Sequence, residues 1–200
     1  MVPHRIDMNR FAWEIGELKK KEKKENPVLF YGSSTFAIWK SLEEEFKDYN
    51  AMNFGFGGST SDEALYHYSD LAKPLNPKVL VFYNGDNEPV CGYSAKETIE
   101  LYTTLFNKFR EDFPNIKIII LETKTSPARD EYKDFVYELN SWSKEYVKDK
   151  DYMYFVETSD LCKTNGKYNL DAYLDDQLHF SPKSYVIIKE RIEKILKEIL

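Results

Sequence analysis

The stretch Val28-Leu29-Phe30-Tyr31-Gly32-Ser33-Ser34-Thr35 decides the fold. Four apolar or aromatic residues run into a glycine and two serines, with Pro27 in front and a helix-like pattern from about Ile38. This order reads as a buried strand, a tight turn and a helix start. A serine at such a turn stands at the carboxyl edge of a sheet, where open α/β sheets bind their ligands. Ser34 is therefore the candidate nucleophile.

Outward from that turn, strands and helices alternate along the chain. A helix is expected over about residues 5–24, a strand over 27–31 and a helix over 37–48, with Trp39, Leu42 and Phe46 at helical spacing. A short strand near 50–54 leads into Gly55-Phe56-Gly57-Gly58-Ser59-Thr60. A helix over about 61–72 follows, capped by Ser59, Thr60 or Ser61 and carrying Asp62 and Glu63 in its first turn. Val79-Leu80-Val81-Phe82-Tyr83 is apolar throughout, as a strand covered on both faces must be. Helices over about 95–112 and 130–148, strands over 116–121 and 152–156, and a last helix after Ser181 complete the pattern, with Asn165-Gly166 as a turn signal. Five strands alternating with helices specify a parallel sheet covered on both faces. One domain spanning 1–200 is expected, with residues 1–25 as an N-terminal helical extension.

Composition narrows the function. The net charge is −6 with acids and bases mixed throughout, which argues against a nucleic-acid partner. The one basic cluster, Lys19-Lys20-Lys21-Glu22-Lys23-Lys24, reads as a solvated helix face or its frayed end. Cys91 and Cys162 are the only cysteines and fit no metal spacing. Two free thiols suit a reducing compartment. The first residues lack the apolar core of a signal peptide, and no stretch approaches a membrane span. A cytoplasmic protein with no membrane partner is expected.

Three polar turns directly follow three strands: Gly32-Ser33-Ser34, Gly57-Gly58 and Gly85-Asp86-Asn87. With strand order 2-1-3-4-5 they would meet at one edge. Acyl transfer needs such a set, because donors must face the oxyanion that develops. The N–H groups of Ser34 and Gly58 and the amide of Asn87 are the candidates. The serine also needs a base. Of the three histidines, His4 lies near the start and His67 in the middle of a helix. His179 follows Asp176 by three residues, which lets the carboxylate bond Nδ1 and leaves Nε2 for the serine.

Taken together these blocks resemble the SGNH, or GDSL-type, hydrolase superfamily. Gly32-Ser33-Ser34 is similar to its Gly-Asp-Ser block, Gly57-Gly58 to the block that donates the oxyanion glycine, Gly85-Asp86-Asn87-Glu88 to Gly-x-Asn-Asp, and Asp176-Gln177-Leu178-His179 to Asp-x-x-His. Phe30-Tyr31-Gly32-Ser33-Ser34, Asn53-Phe54-Gly55-Phe56-Gly57-Gly58, Tyr83-Asn84-Gly85-Asp86-Asn87 and Ser126-Pro127-Ala128-Arg129 look closest to a branch related to platelet-activating-factor acetylhydrolases. The resemblance implies a three-layer flavodoxin-like α/β/α fold and ester hydrolysis without a metal. By position, Ser34, Asp176 and His179 inherit the catalytic roles, and Ser34, Gly58 and Asn87 the oxyanion hole. Ser33 in place of Asp, Glu88 in place of Asp and Ser184 near a position often held by Gly are departures that bear on fine geometry and substrate choice.

The expected substrate is a small-molecule ester with a small or short acyl group, and no cofactor is expected. Tyr31, Phe36, Tyr93 and Arg129 are candidate pocket residues near the edge. The rival readings are a flavodoxin-like module that holds phosphate or a nucleotide on the Gly32–Thr35 turn, and an inactive relative kept for protein contacts. The first leaves Asn87 and the Asp176/His179 pair without a role, and the intact Ser34, Asp176 and His179 set argues against the second.

Overall fold

Strand β1 (Val28–Gly32) is buried at every residue, as its unbroken apolar run requires. The computed structural model describes residues 2–200; Met1, the first residue of the expected extension, lies outside them. β1 lies between β2 (Met52–Gly55) and β3 (Val79–Tyr83), and β4 (Lys117–Leu121) and β5 (Met153–Val156) continue the sheet. All pairs are parallel, in the order β2-β1-β3-β4-β5. Gly32 is in register with Gly55 on one side and Tyr83 on the other. Three strands therefore end level, and their three polar turns open at one edge.

Alternation along each strand divides the core into two layers. Leu29, Tyr31, Leu80, Phe82, Ile118 and Ile120 point to one face. There they meet α1 (Ala12–Lys19), α4 (Ser61–Tyr66), α5 (Tyr68–Leu71), α6 (Ala95–Asp112) and α7 (Lys133–Val147). Val28, Phe30, Val79, Val81, Ile119 and Leu121 point to the other. They pack under α2 (Ser34–Ala37), α3 (Leu42–Glu45), α8 (Ser159–Cys162) and α9 (Pro182–Ile199). A hairpin of β6 (Lys163–Thr164) and β7 (Lys167–Tyr168) turns on Asn165 and Gly166. Both turn residues have positive φ, 52° and 77°, as a tight two-residue hairpin demands.

The largest departure from expectation is at the N-terminus. Helix is confined to α1, where residues 5–24 were expected to be helical. Before it, the Asp7 carboxylate accepts the N–H of Asn9 at 2.9 Å, a local turn that competes with helix. At and past its end, Lys19, Lys20, Glu22 and Lys23 are exposed, as a frayed end would leave them, but two lysines of the run turn inward. Lys21 Nζ donates to Asn53 O at 2.7 Å and Lys24 Nζ to Ala51 O at 2.6 Å. β2 is the edge strand on this side, and the lysines occupy carbonyls at that edge which would otherwise invite another strand. The helix expected over 37–48 is broken into α2, α3 and a 3-10 turn at Lys47–Tyr49. That over 61–72 divides at His67. α6 spans the expected residues, opened by a capping box of Ser94 and Glu97. Thr60 forms the equivalent box with Glu63 ahead of α4. Among the described residues no helix is long and apolar enough to cross a membrane, and both cysteines are free.

Gly32 controls how β1 leaves the sheet. Its φ is +133°, and a Cβ there would lie 2.0 Å from Tyr83 O and 2.6 Å from Asn84 Oδ1. Gly32→Ala should therefore cost about 2–6 kcal/mol, adding backbone strain to overpacking. Urea unfolding of the purified variant measures it; a loss below about 1 kcal/mol, the ordinary scale of a single substitution, would show that β1 can leave by another path.

Candidate active site

Ser34 opens α2 immediately beyond that exit. Ser33 N–H donates to Tyr83 O at 2.9 Å, and Phe56 N–H donates to Gly32 O at 2.9 Å. The turn is thus fastened to the ends of both neighbouring strands. Ser34 is the first residue of its helix, so its N–H has no intrahelical acceptor, and the residue is only 8% exposed.

The turn between Tyr173 and Phe180, which pair as an isolated bridge, brings His179 to Ser34. Gln177 adopts φ 53°, and its N–H donates to Leu174 O at 2.9 Å while Leu174 N–H donates to His179 O at 2.8 Å. This tight turn folds Asp176 back on itself. Its Oδ1 accepts the N–H of Leu178 and of His179, each at 2.9 Å. Its Oδ2 lies 2.6 Å from His179 Nδ1. With the proton on Nδ1 donated to this carboxylate, Nε2 is the acceptor for the hydroxyl of Ser34 at 3.0 Å. Burial opposes ionisation of Asp176, but the His179 ring and the two N–H groups hold its pKa down to about 2. The group is a carboxylate at any ordinary pH.

Gly58 and Asn87 stand at the ends of the two flanking turns. Gly58 has φ +71°, a conformation that favours glycine. Its carbonyl accepts from Arg10 Nη2 at 2.9 Å. Arg10 is itself clamped by Glu63, with Nε to Oε1 at 2.6 Å and Nη2 to Oε2 at 2.8 Å. Asn87 Nδ2 donates to Ser33 Oγ at 2.7 Å and to Ser59 O at 3.0 Å. Ser33 thus supplies a neutral acceptor where the family pattern carries a carboxylate. Arg129 Nη1 donates to Asn87 Oδ1 at 2.9 Å and also to Asp86 O.

Three buried ionisable groups lie behind these turns, Lys124, Asp86 and Glu88. Lys124 is fully enclosed and its Nζ is 2.5 Å from Asp86 Oδ2 and 2.9 Å from Tyr83 OH. Burial works against the Asp86 charge, but Lys124, and beyond it Arg129 and His179, hold its pKa below the usual carboxylate range. Glu88 takes the N–H and hydroxyl of Ser61 on one oxygen, at 2.7 and 2.5 Å, and Gly85 N–H on the other at 2.9 Å. Burial nevertheless pushes it up to about 7.

The expected pocket residues behave differently. Tyr31 is fully buried, with its hydroxyl donating to Ala64 O at 2.6 Å, and Phe36 is a core residue against Phe30 and Tyr83. Neither has surface left to offer a substrate. Tyr93 is buried in a small cluster with Val2 and Leu101, its hydroxyl bonded to Asp62 at 2.7 Å. Only Arg129 of the four reaches the site. His67 is a core histidine whose Nε2 lies 2.9 Å from Met8 O. A groove of about 430 Å³ opens between Ile38, Trp39, Leu174, Phe180, Tyr185 and Val186, beginning four residues beyond Ser34 and one beyond His179. Among the described residues no group of three or more His, Cys, Asp or Glu side chains is placed to hold a metal ion. Sequence reading missed Arg10, Lys124 and the Ser33–Asn87 bond. The one available signal was Lys124, a charged residue three positions beyond a buried strand at the edge that carries the site.

A model of the GDSL-like lipase/acylhydrolase family matches residues 30–187. The platelet-activating factor acetylhydrolase IB subunit alpha2 of Rattus norvegicus and that of Homo sapiens are each 32% identical over 123 residues, covering 56% of this chain and 48% of theirs. The matched stretch thus spans about half the length of these curated relatives. Among solved structures, a putative acylhydrolase from Bacteroides fragilis is similar with a TM-score of 0.78 at 22% identity, covering 100% of both chains. A GDSL-like lipase from Bacteroides thetaiotaomicron gives 0.75 at 24% identity, over 98% of this chain and 100% of that one. These two likenesses establish the fold.

Glu88 makes stability depend on pH in a definite direction. Its pKa is raised from 4.5 to about 7 on folding. Between those values the folded chain holds a proton that the unfolded chain has released, so stability falls as pH rises. The loss from pH 5 to pH 8 should reach about 3 kcal/mol at most. Urea unfolding across that range should show the decline in the parent and a flatter profile in Glu88→Gln, which cannot ionise. Equal slopes in the two proteins would refute it.

Proposed function

Because the chain belongs to the GDSL-like lipase/acylhydrolase family, we propose that it is a serine-dependent ester hydrolase working through an acyl-enzyme on Ser34. The observation that carries this reading is the relay from Ser34 Oγ to His179 Nε2 at 3.0 Å and from His179 Nδ1 to Asp176 at 2.6 Å. His179 takes the hydroxyl proton as Oγ attacks the ester carbonyl. The carbonyl oxygen becomes an oxyanion beside the N–H groups of Ser34 and Gly58 and the amide of Asn87. His179 then gives its proton to the departing alkoxide. A water, deprotonated by the same nitrogen, cleaves the acyl-enzyme. Asp176, ionised throughout, orients the ring and stabilises its cation; every proton moved passes through His179.

The substrate we propose is a small ester with a short acyl group. The curated relatives, named as acetylhydrolases, support a small acyl group. The reading implies that the apolar groove beside Phe180 is not filled by an acyl chain. Rates on acetyl, butyryl, octanoyl and dodecanoyl esters of one alcohol should fall with chain length; a clear preference for the longer chains would assign them to that groove and overturn the short-acyl reading.

Labelling with a fluorophosphonate, followed by peptide mass spectrometry, tests the nucleophile. A single adduct on Ser34 is expected, absent from His179→Ala. Ser34→Ala and His179→Ala should each lower the rate by roughly 10⁴–10⁶, and the double variant by little more, since the two act as a unit. A folded protein that takes no label, or in which the two losses add, would refute the proposal.

A further inference from the structure

The Asn87 amide raises a question of orientation. Its two ends are nearly the same size, and only their partners decide which end faces the reacting carbonyl. Toward the serine turn, Nδ2 donates to Ser33 Oγ at 2.7 Å and Ser59 O at 3.0 Å. At the other end, Arg129 Nη1 donates to Oδ1 at 2.9 Å. Turned over, the amide would set N–H against a guanidinium and carbonyl oxygen against Ser59 O. Both contacts would then be repulsive.

Arg129 is held where it can do this. The same Nη1 donates to the carbonyl of Asp86, whose carboxylate is locked by Lys124 from beneath. Arg129 sits in the 3-10 segment Pro127–Tyr132 with a non-helical backbone, φ −139° and ψ 33°. The preceding residue, Ala128, donates its N–H to Gln177 O at 3.2 Å. One short loop therefore touches both the amide beside Ser34 and the turn that carries Asp176 and His179.

We propose that Arg129 is a positioning residue, holding Asn87 by its oxygen so that Nδ2 stays on the side of the serine turn, from which one of the hydrogens now given to Ser33 Oγ and Ser59 O passes to the oxyanion as it forms. The guanidinium charge against Oδ1 also polarises the amide and strengthens its N–H groups as donors. The inference rests on the ester-hydrolase reading above. It gives Arg129 a task distinct from contacting substrate, which is the other use of a cation at the rim of a site.

The experiment compares Arg129→Met, Arg129→Lys, Asn87→Ala and the Arg129→Met/Asn87→Ala pair on a neutral acetyl ester and on one whose alcohol bears a carboxylate. Arg129→Met should lower kcat by about 10–100-fold, short of or equal to the loss of an oxyanion donor, with KM changed by less than about threefold on both esters. On the Asn87→Ala background it should cost less than about threefold, because the group it acts through is gone. Arg129→Lys, which keeps a cationic donor, should recover part of kcat, and it carries the test if the methionine variant folds poorly. Additive losses, or a KM effect confined to the carboxylate-bearing ester, would overturn the proposal, the latter in favour of a substrate contact. If Asn87→Ala leaves kcat unchanged while Ser34 still takes the fluorophosphonate, this inference falls and the hydrolase reading stands.

Discussion

The contact on which the site depends is the passage of Gly32 under Tyr83. No side chain fits there, since even a Cβ would meet the Tyr83 carbonyl at 2.0 Å. That carbonyl instead accepts the N–H of Ser33. β1 therefore ends flush with β3, the Ser33 hydroxyl meets Asn87 in the turn after β3, and Ser34 begins a helix with its own hydroxyl toward His179. The contact joins the residue before Ser34 to the strand before Asn87. A looser exit would separate the proposed nucleophile from the amide beside it, whatever the rest of the chain did.

The backbone at the edge is fixed by charges more than by apolar packing. Arg10 and Glu63 hold the Gly58 carbonyl, Lys124 holds Asp86, and Glu88 gathers Ser61 and Gly85. Burying such ions opposes stability, and an apolar replacement of similar shape is often neutral or better by about 1–4 kcal/mol. Their use here is geometric. Apolar contacts leave a peptide group free to rotate, whereas a bidentate guanidinium or a carboxylate with three donors fixes both position and direction. Donors aimed at a developing charge need direction above all.

Much of this was legible in the sequence, for reasons that also explain what was not. The apolar runs of β1, β3 and β4 and the polar turns after them announce a parallel sheet and its loaded edge. The strand order came with the flavodoxin-like fold that the resemblance implies, and the grouping of Ser34, Asp176 and His179 with the serine turn and the Asp-x-x-His spacing. The N-terminal helix was overread because the Lys/Glu run has helical propensity, while tertiary contact with β2 carbonyls won. Tyr31 and Phe36 looked like pocket residues because closeness to Ser34 along the chain does not say whether a side chain turns into the core; both faces of β1 are covered, and Phe36 packs inward from α2. Arg10 was out of reach because it acts through Gly58, far away in sequence, and the position of Lys124 just beyond β4 was a signal that did not name its distant partner Asp86.

The two carboxyl groups with the clearest shifts near Ser34 divide the work by environment. Asp176 stands near the surface, collects two backbone donors and the imidazole, and is held down to about 2. Glu88 is sealed beneath the neighbouring turn and is pushed up to about 7 despite its three donors. An orienting carboxylate must keep its charge while the base beside it gains and loses a proton. An exposed position with strong local donors meets that need, and water shields the cost of the ion. A carboxyl that only fastens backbone has no such requirement and tolerates burial. The difference in depth between Asp176 and Glu88 is thus what the proposed chemistry calls for: the group next to the moving proton stays wet and ionised, and the groups that hold the frame lie underneath.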